Sequence, residues 1–279
     1  MNQIEITELN IYPVKSLKGI SLTESELTIN GLKYDRNWMI IDTENNFITQ
    51  RQIPELAKIS TKITEKHLIL NYPDSSEIKI NLTEKENPEI ETFVWNHKCI
   101  GYSEGTEVSE WLTEKIGKTL RLIRFSKNFT RKVENEYLRG EKSSTLFADG
   151  FPFLICSEES LQYLNSELAK NDTSSVPMNR FRANIVIKNI SPFDEFKISE
   201  LTSQNDNYTL GLRKPCKRCK IVTINQDNSE IKNPKEPLLT LSKINPLADK
   251  QGAYFGINST LLNGENQKIK VGDFLKLIY

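Results

Sequence analysis

The sequence predicts a β-rich α+β protein in which most of the chain forms a barrel or sandwich of short strands. Many short apolar runs are separated by turn-forming residues, and only two segments have the spacing of an amphipathic helix. The 279 residues are 37% hydrophobic, which is enough for a sizeable core. This length suits one large domain or two ordinary ones.

The first 125 residues are predicted to be mainly strands. The apolar residues of segment 4–11 alternate with one phase break, which is typical of a bulged strand. Segments 38–41 and 47–48 flank a polar turn, and this pattern predicts a hairpin. Further short strands are predicted at 68–70, 78–82, 93–95 and 120–125.

Two helices are expected between the strands. The first has apolar residues at i, i+3, i+4 and i+8 from Val108 to Ile116 and ends at Gly117. The second begins after Ser157, a residue that can cap a helix N-terminus. Later strands are predicted at 184–187, 196–198 and 221–224. A polar stretch, 126–140, is the expected junction between a domain of residues 1–125 and a domain of residues 126–279.

The charge balance argues against some classes of partner. The chain has 37 Lys and Arg against 37 Asp and Glu, so bulk attraction to nucleic acid or to an acidic membrane is not expected. No run approaches the roughly 18 apolar residues of a membrane span, and the N-terminus lacks a signal-peptide pattern. Four scattered cysteines are too few for a disulfide framework. We therefore expect a cytoplasmic protein.

The densest chemical feature is segment 213–220, which holds five cations and the thiols of Cys216 and Cys219. Cationic neighbours stabilise a thiolate, which can act as a nucleophile or a metal ligand. Four interpretations remain open. They are a redox dithiol, a structural zinc site completed by His97 and Cys99, a basic nucleic-acid patch, and a thiolate bound to a soft metal or metallocofactor. A strand predicted at 220–225 disfavours the dithiol, which normally follows a strand and opens a helix.

Other basic segments fit the last interpretation. Loop 12–19 carries Lys15, Ser16 and Lys18 between two predicted strands and ends in glycine, which suits an anion cradle. Arginines also lie beside predicted strand ends, at positions 36, 51, 180 and 182. Together they predict an anion pocket built from fixed guanidinium groups. With two histidines and no Gly-x-Gly-x-x-Gly element, a Rossmann-type nicotinamide or flavin enzyme is disfavoured.

Taken together, these segments resemble a known family, that of proteins with a molybdenum-cofactor sulfurase C-terminal (MOSC) domain. Segments 11–19, 31–32 and 35–39 resemble the N-terminal β-barrel domain that precedes a MOSC domain. Six later segments resemble the MOSC domain itself: 151–155, 180–187, 215–219, 236–238, 254–258 and 271–273. The resemblance covers nearly the whole chain in order. Among characterised proteins it points to the mitochondrial amidoxime-reducing components and their bacterial counterparts.

The resemblance implies an N-terminal β-barrel domain, a MOSC β-barrel domain with flanking helices, and a basic cleft between them. It also implies an oxidoreductase that carries molybdenum–molybdopterin, needs no pyridoxal phosphate and reduces small N-hydroxylated (N-oxygenated) compounds. Cys219 matches the cysteine that ligates molybdenum, which makes it the expected catalytic residue. The family's cofactor-contacting positions match Lys15, Ser16, Arg36, Asp149, Gly150, Phe151, Arg182, Asn184, Lys217, Arg218 and Asn258.

Partners follow from the same resemblance. No iron–sulfur cysteine cluster follows Tyr279 and no anchor segment is visible. We therefore expect electrons from a separate donor protein of the cytochrome b5-like, ferredoxin or flavin reductase type, with no membrane and no nucleic acid as partner. The chain departs from its relatives at Gly150, where some have Thr, and at Phe151, where a small hydroxyl residue is common. A narrower pocket is expected there.

Two rival functions remain at this point. In the first, Cys219 serves a non-catalytic carrier of molybdenum cofactor or of sulfur. In the second, the chain is a binding module held together by zinc through four ligands: His97, Cys99, Cys216 and Cys219.

Overall fold

The computed structural model describes residues 3–83, 87–244, 246–247 and 251–279. The described part of the chain forms twenty β-strands and three α-helices, which confirms the predicted β-rich fold. Up to residue 125 the elements are β1 (Ile4–Ile11), β2 (Ile20–Leu22), β3 (Glu24–Thr28), β4 (Gly31–Leu32), β5 (Trp38–Ile41), β6 (Ser60–Ile63), β7 (His67–Asn71), β8 (Glu77–Asn81), β9 (Glu89–Val94), β10 (His97–Ser103), α1 (Thr106–Ile116) and β11 (Arg121–Phe125).

After residue 125 the strands are longer and the remaining helices occur. The elements are β12 (Arg131–Lys132), β13 (Ser144–Thr145), β14 (Phe153–Ser157), α2 (Glu158–Ala169), β15 (Ile185–Lys188), β16 (Glu200–Ser203), β17 (Thr209–Lys217), α3 (Leu238–Ile244), β18 (Tyr254–Asn263), β19 (Lys268–Lys270) and β20 (Phe274–Ile278). None of the described helices has the length and hydrophobicity needed to cross a bilayer.

The larger sheet closes into a barrel of seven strands, in the order β1, β15, β14, β18, β17, β16 and β20, and returns to β1. The predicted bulge in β1 is present, because its register against β15 shifts between Ile6 and Glu8. Inward-facing residues of these strands form one buried core that includes Leu9, Ile155 and Leu210. The barrel supplies the rigid scaffold on which the loops of the site are mounted.

A smaller body is built from β5 to β11. A four-stranded sheet runs in the order β5, β11, β10, β9, and β6 to β8 form a three-stranded sheet. Helix α1 buries Val108 and Leu112 in the core beside them. Gly117 ends this helix in the left-handed region with φ 74°, as the sequence predicts. The predicted hairpin at 38–48 is also present, since Ile41 pairs with Phe47.

The first strand belongs to the same sheet as the strands that follow residue 150. Strand β1 pairs with β15 and with β20, so the beginning of the chain helps to close the larger barrel. The linker expected at 126–140 contains β12 and a short 3-10 turn at Asn135–Tyr137. The division at residues 125 and 126 remains a prediction.

Two predicted strands are wrong. Segment 196–198 follows a 3-10 turn at Asp194–Phe196, which Phe193 enters with φ 64°. Segment 221–224 also lies in a 3-10 turn, Lys220–Thr223, in which the Val222 amide donates to the Cys219 carbonyl. The buried apolar residues of these segments are covered by side-chain packing rather than by strand pairing: Ile198, Val222 and Ile224. Alternating burial alone does not require a strand.

Helix α2 begins at the predicted cap and encloses a buried carboxylate. The Ser157 hydroxyl accepts a hydrogen bond from the Ser160 amide at 3.1 Å. The Ser160 hydroxyl in turn donates to Glu195, whose side chain is fully buried. Burial raises the pKa of Glu195 to about 7, while the serine hydrogen bonds oppose that rise.

The raised pKa of Glu195 predicts a loss of stability as pH rises. Its pKa in the unfolded chain is near 4.5, so the unfolded state releases this proton first and the free energy of unfolding falls from about pH 4.5 to about pH 7. The full loss is about 3 kcal/mol and persists above that range. Glu195→Gln should remove this pH dependence, measured by urea unfolding at about pH 5 and about pH 8. The exposed-residue control Glu65→Gln should keep it, and an unchanged slope in Glu195→Gln would contradict the assignment.

Candidate functional site

A cavity at the edge of the barrel collects side chains from both parts of the chain. Its lining includes Lys15, Arg36 and Arg51 from the first part and Arg182, Arg218 and Cys219 from the second. Loop 12–19, which follows β1, forms one side of the cavity. The end of β17 and the turn after it form another. Closure of the barrel brings these two regions together.

Loop 12–19 is fixed by backbone pairing with the segment before β5. The Tyr12 amide donates to the buried Asp35 carboxylate at 2.8 Å, and Val14 pairs with Trp38. Ser16 adopts φ 70°, a left-handed conformation that turns the chain sharply. These constraints place the Lys15 and Ser16 side chains in the wall of the cavity.

Lys15 is buried and has two partners. Its ammonium donates to the Asp149 carboxylate at 2.6 Å and to the Phe147 carbonyl at 2.8 Å. Burial lowers the pKa of Lys15, and the Asp149 carboxylate opposes this effect. Desolvation raises the pKa of Asp149, but Lys15 and then Arg51 pull it below its ordinary value. The Asp149 carboxylate is therefore charged at neutral pH and forms an ion pair with Lys15.

Two guanidinium groups lie over one aromatic ring. The guanidinium carbons of Arg36 and Arg182 are 4.3 Å and 4.2 Å from the centroid of the Tyr12 ring. The Nη1 atom of Arg36 also donates to both carboxylate oxygens of Asp35. Arg182 donates to the Leu17 carbonyl at 2.8 Å. Burial lowers the pKa of Arg182 only to about 10, so it remains a cation at neutral pH.

Each thiol of the Cys-x-x-Cys segment accepts a hydrogen bond from an arginine. Arg51 donates to the Cys219 Sγ at 3.1 Å, and Arg218 donates to the Cys216 Sγ at 2.9 Å. Cys219 stands at the N-terminus of the 3-10 turn, whereas Cys216 lies in β17. Both thiols are partly exposed and line the cavity. The arrangement therefore supplies two thiols with fixed cationic donors.

A buried pair of amides holds the two sides of the cavity together. Gln50 and Gln226 exchange two hydrogen bonds, of 3.0 Å and 2.9 Å, and Gln50 also donates to the Ser16 carbonyl. Gln50 directly precedes Arg51, and the 3-10 turn that Cys219 opens lies just before Gln226. This pair therefore fixes the separation between Arg51 and Cys219 across the junction of the two parts.

The cavity brings together nearly all of the candidate residues drawn from the sequence. Eleven of the twelve line it: Lys15, Ser16, Arg36, Asp149, Gly150, Phe151, Arg182, Asn184, Arg218, Cys219 and Asn258. The twelfth, Lys217, lines an adjoining cavity instead. The side chains of Asn184 and Asn258 are hydrogen-bonded to backbone groups. Asn184 accepts from the Leu154 amide, and Asn258 donates to the Lys214 carbonyl.

Some residues of the site are missing from the candidates. Arg51 was noted only as one of several strand-end arginines, yet it donates to the Cys219 sulfur and lies 4.6 Å from the Trp95 ring centroid. Gln50 and Gln226 carried no signal, because a glutamine pair 176 residues apart has no local pattern. Arg51 could have been identified because it is the single charged residue in the polar segment 49–52.

The structure also bears on the alternative interpretations of Cys-x-x-Cys. The four proposed zinc ligands do not assemble: among the described residues, no three of His, Cys, Asp or Glu are grouped to hold a metal ion. Cys99 is fully buried, and His97 contacts Glu134. The strand predicted at 220–225, which disfavoured a redox dithiol, is absent. The Cys-x-x-Cys segment begins in the last residues of β17 and opens a 3-10 turn.

Charge decides what this cavity can hold. Its lining contains five cationic side chains and a single carboxylate, Asp149, which is already paired with Lys15. The Nε atom of Arg218 is buried and has no hydrogen-bond partner within the described residues. Arg36 is likewise paired with Asp35, but Arg51, Arg182 and Arg218 have no carboxylate partner within the described residues. This surplus of positive charge favours an anionic ligand with several acceptor atoms. The thiol of Cys219 adds a soft metal ligand to the same wall.

Comparisons with known proteins identify the family of the chain. The chain matches the family described as the MOSC N-terminal beta barrel domain over residues 3–119 and the MOSC domain over residues 142–276. It is 30% identical to mitochondrial amidoxime-reducing component 1 of Mus musculus, with 90% of this chain and 74% of that protein covered. It is 32% identical to mitochondrial amidoxime reducing component 2 of Bos taurus, with 85% and 70% covered.

The chain is also similar to a longer protein. Molybdenum cofactor sulfurase of Oryza sativa subsp. japonica is 30% identical over 96% of this chain. The chain spans only 34% of the length of that protein.

The four cysteines should differ in reactivity. Cys216 and Cys219 are partly exposed, whereas Cys99 and Cys156 are fully buried and burial raises the pKa of both. Iodoacetamide should therefore alkylate Cys216 and Cys219 in the folded protein and spare the other two, as judged by peptide mass spectrometry. In concentrated urea all four should react. Equal labelling of all four in the folded state would show that the site is not built as described.

Proposed function

Since the chain belongs to the MOSC family and carries both the N-terminal beta barrel domain and the MOSC domain, we propose that it is a molybdenum-cofactor-dependent oxidoreductase that reduces N-hydroxylated compounds. The observation that carries this proposal is the position of the Cys219 thiol in a cavity with five cations and one carboxylate. A redox dithiol or a zinc site would not need so large a surplus of positive charge.

The residues of the cavity fit molybdenum–molybdopterin by their chemistry. The cofactor bears an anionic dithiolene and a phosphate, which need fixed cationic donors and a soft thiolate. Lys15, Arg36 and Arg182 are held by their own partners, so they require little rearrangement to receive an anion. The unused Nε of Arg218 supplies one more donor.

Each group of residues would have its own task in holding the cofactor. Cys219 would ligate molybdenum, and Arg51 would stabilise the thiolate through its hydrogen bond. Ser16 would donate from loop 12–19 beside Lys15, and Gly150 would offer backbone in a place where a side chain would meet no neighbour. Asp149 would act by positioning Lys15. Asn184 and Asn258 would act by fixing the strands behind the cavity.

The reaction proposed is a two-electron reduction. An N-hydroxyamidine with two electrons and two protons gives an amidine and water. The bound cofactor supplies the two-electron redox chemistry, and the protein orients it and excludes competing ligands. Electrons would come from a separate donor protein of the cytochrome b5-like, ferredoxin or flavin reductase type. In a test, dithionite-reduced methyl viologen can take the place of that donor.

Replacement of Cys219 tests the metal ligand. Cys219→Ser should lose bound molybdenum, measured by element analysis after expression in a host that makes the cofactor. It should also lose benzamidoxime reduction by at least about a hundredfold, because a hydroxyl is a poor ligand for a soft metal. Circular dichroism and the unfolding midpoint should be unchanged, since the thiol is partly exposed.

The matched control is Cys216→Ser, which changes the neighbouring thiol by the same atom. This variant should retain bound molybdenum, because Cys219 remains available as the ligand, and its turnover should fall much less than that of Cys219→Ser. Full activity in Cys219→Ser would end the assignment of the ligand. Stoichiometric molybdopterin without reduction of any N-hydroxylated substrate would instead favour a carrier of the cofactor, a function that the sulfurase relative makes the main competitor.

A further inference from the structure

A second cavity, of about 590 Å³, adjoins the one that contains Cys219. The two cavities share five lining residues: Asp149, Gly150, Phe151, Cys216 and Asn258. These five residues form part of a wall between the two cavities, so a group bound in the Cys219 cavity lies next to the second cavity. No residue of the second cavity other than these five and Lys217 has been given a role so far.

Arg51 and Trp95 form part of the wall between the cavities. Arg51 lines the first cavity and Trp95 lines the second, and the two side chains stack at 4.6 Å. The indole nitrogen of Trp95 donates to Asp149 at 3.2 Å, and the Phe47 ring packs against the indole edge-on. These contacts fix the indole, yet 47% of Trp95 is exposed. An aromatic face is thus held in place on the second cavity.

Further aromatic rings surround this face. Tyr137 and Tyr254 line the second cavity, and Phe151 packs edge-on against Tyr137 with ring centroids 5.8 Å apart. Exposed aromatic side chains arranged around a concave surface are suited to binding planar organic groups, because offset and edge-on ring contacts add to the burial of apolar area.

The same cavity has a surplus of positive charge. Lys132 and Lys217 make no ion pair within the described part of the chain, and the Arg131 guanidinium binds backbone carbonyls only. Lys214 lies 3.9 Å from the Tyr137 ring centroid. Against these cations stand the carboxylates of Asp149, paired with Lys15, and Glu134, which is shared between His97 and Lys214.

We propose that the second cavity is the substrate subsite, and that it selects aromatic N-hydroxylated compounds that carry an anionic substituent on the ring. The ring lies against Trp95 and Tyr137, the anionic group contacts Lys132 and Lys214, and the N-hydroxylated end reaches the shared wall near Cys216. The inference rests on the proposed function for the reaction itself. The preference for an anionic aromatic ligand rests only on the residues that line the second cavity.

Turnover of two matched substrates tests the preference. 4-Carboxybenzamidoxime and 4-carbamoylbenzamidoxime have nearly the same shape, but only the first is anionic. With cofactor-loaded protein, kcat/KM for the carboxylate should exceed that for the amide roughly tenfold at low salt, and this ratio should shrink as ionic strength rises. A ratio of one or below at low salt would overturn the proposal while leaving the proposed reaction intact.

Lysine variants test which side chains select the anionic substituent. Lys132→Gln and Lys214→Gln should each lower the ratio by roughly threefold to tenfold, mainly through KM for the carboxylate. Lys62→Gln is the matched control, since this exposed lysine lies in β6 and lines neither cavity. An unchanged ratio in both subsite variants would place the selection elsewhere.

Binding measured by fluorescence provides a readout that does not depend on turnover. Trp38 and Trp111 are buried, so 4-amidinobenzoate should quench the emission of Trp95, and Trp95→Phe should abolish that quenching. 4-Carbamoylbenzamidine carries the same amidinium group but no carboxylate, so it should bind more weakly. If no N-hydroxylated compound is reduced but this binding preference is found, the proposed function fails and the subsite stands. If neither ligand quenches Trp95, the subsite fails.

Discussion

The site depends on holding several positive side chains close to one sulfur atom. Cations confined in a partly buried space repel one another and lose hydration, so each needs local compensation. Arg36 has the Asp35 carboxylate and the Tyr12 ring, Arg182 shares that ring, and Lys15 has Asp149. These contacts hold the cationic side chains in defined positions around the cavity. What remains uncompensated is the charge that an anionic ligand would neutralise.

This arrangement requires two parts of the chain that are distant in sequence to meet in a closely defined position. Strand β1 pairs with β15 and so carries loop 12–19 to the segment that holds Arg182. The Gln50–Gln226 pair makes a second connection between the two parts of the chain. Because both connections are buried, loosening either one would expose unpaired amide or backbone groups. The cavity is thus a consequence of how the barrel closes.

Much of the fold could be predicted from the sequence, because the signals for it are local. The bulge of β1, the cap at Ser157 and the stop at Gly117 each depend on a few neighbouring residues. Segments 196–198 and 221–224 were assigned wrongly because burial there comes from tertiary packing without a partner strand.

The candidate site residues came from a different source, the family resemblance. The resemblance supplied positions one at a time, and the structure gathers eleven of them around one cavity. It could not supply Gln50 and Gln226, whose role exists only as a pair across the fold. Lys217 lies apart from the other eleven because its side chain lines the second cavity, and its contact with the cofactor stays a prediction.

Strand β17 explains how one segment can serve both cavities. In a regular strand, successive side chains alternate between the two faces, so neighbouring residues would be divided strictly between them. The register of β17 against β18 shifts between Leu212 and Lys214 and again between Pro215 and Lys217. These irregularities break the alternation, and Cys216 lines both cavities as a result. A change of the Cys216 side chain therefore alters the lining of both cavities. This links the binding of the cofactor to the space left for the substrate.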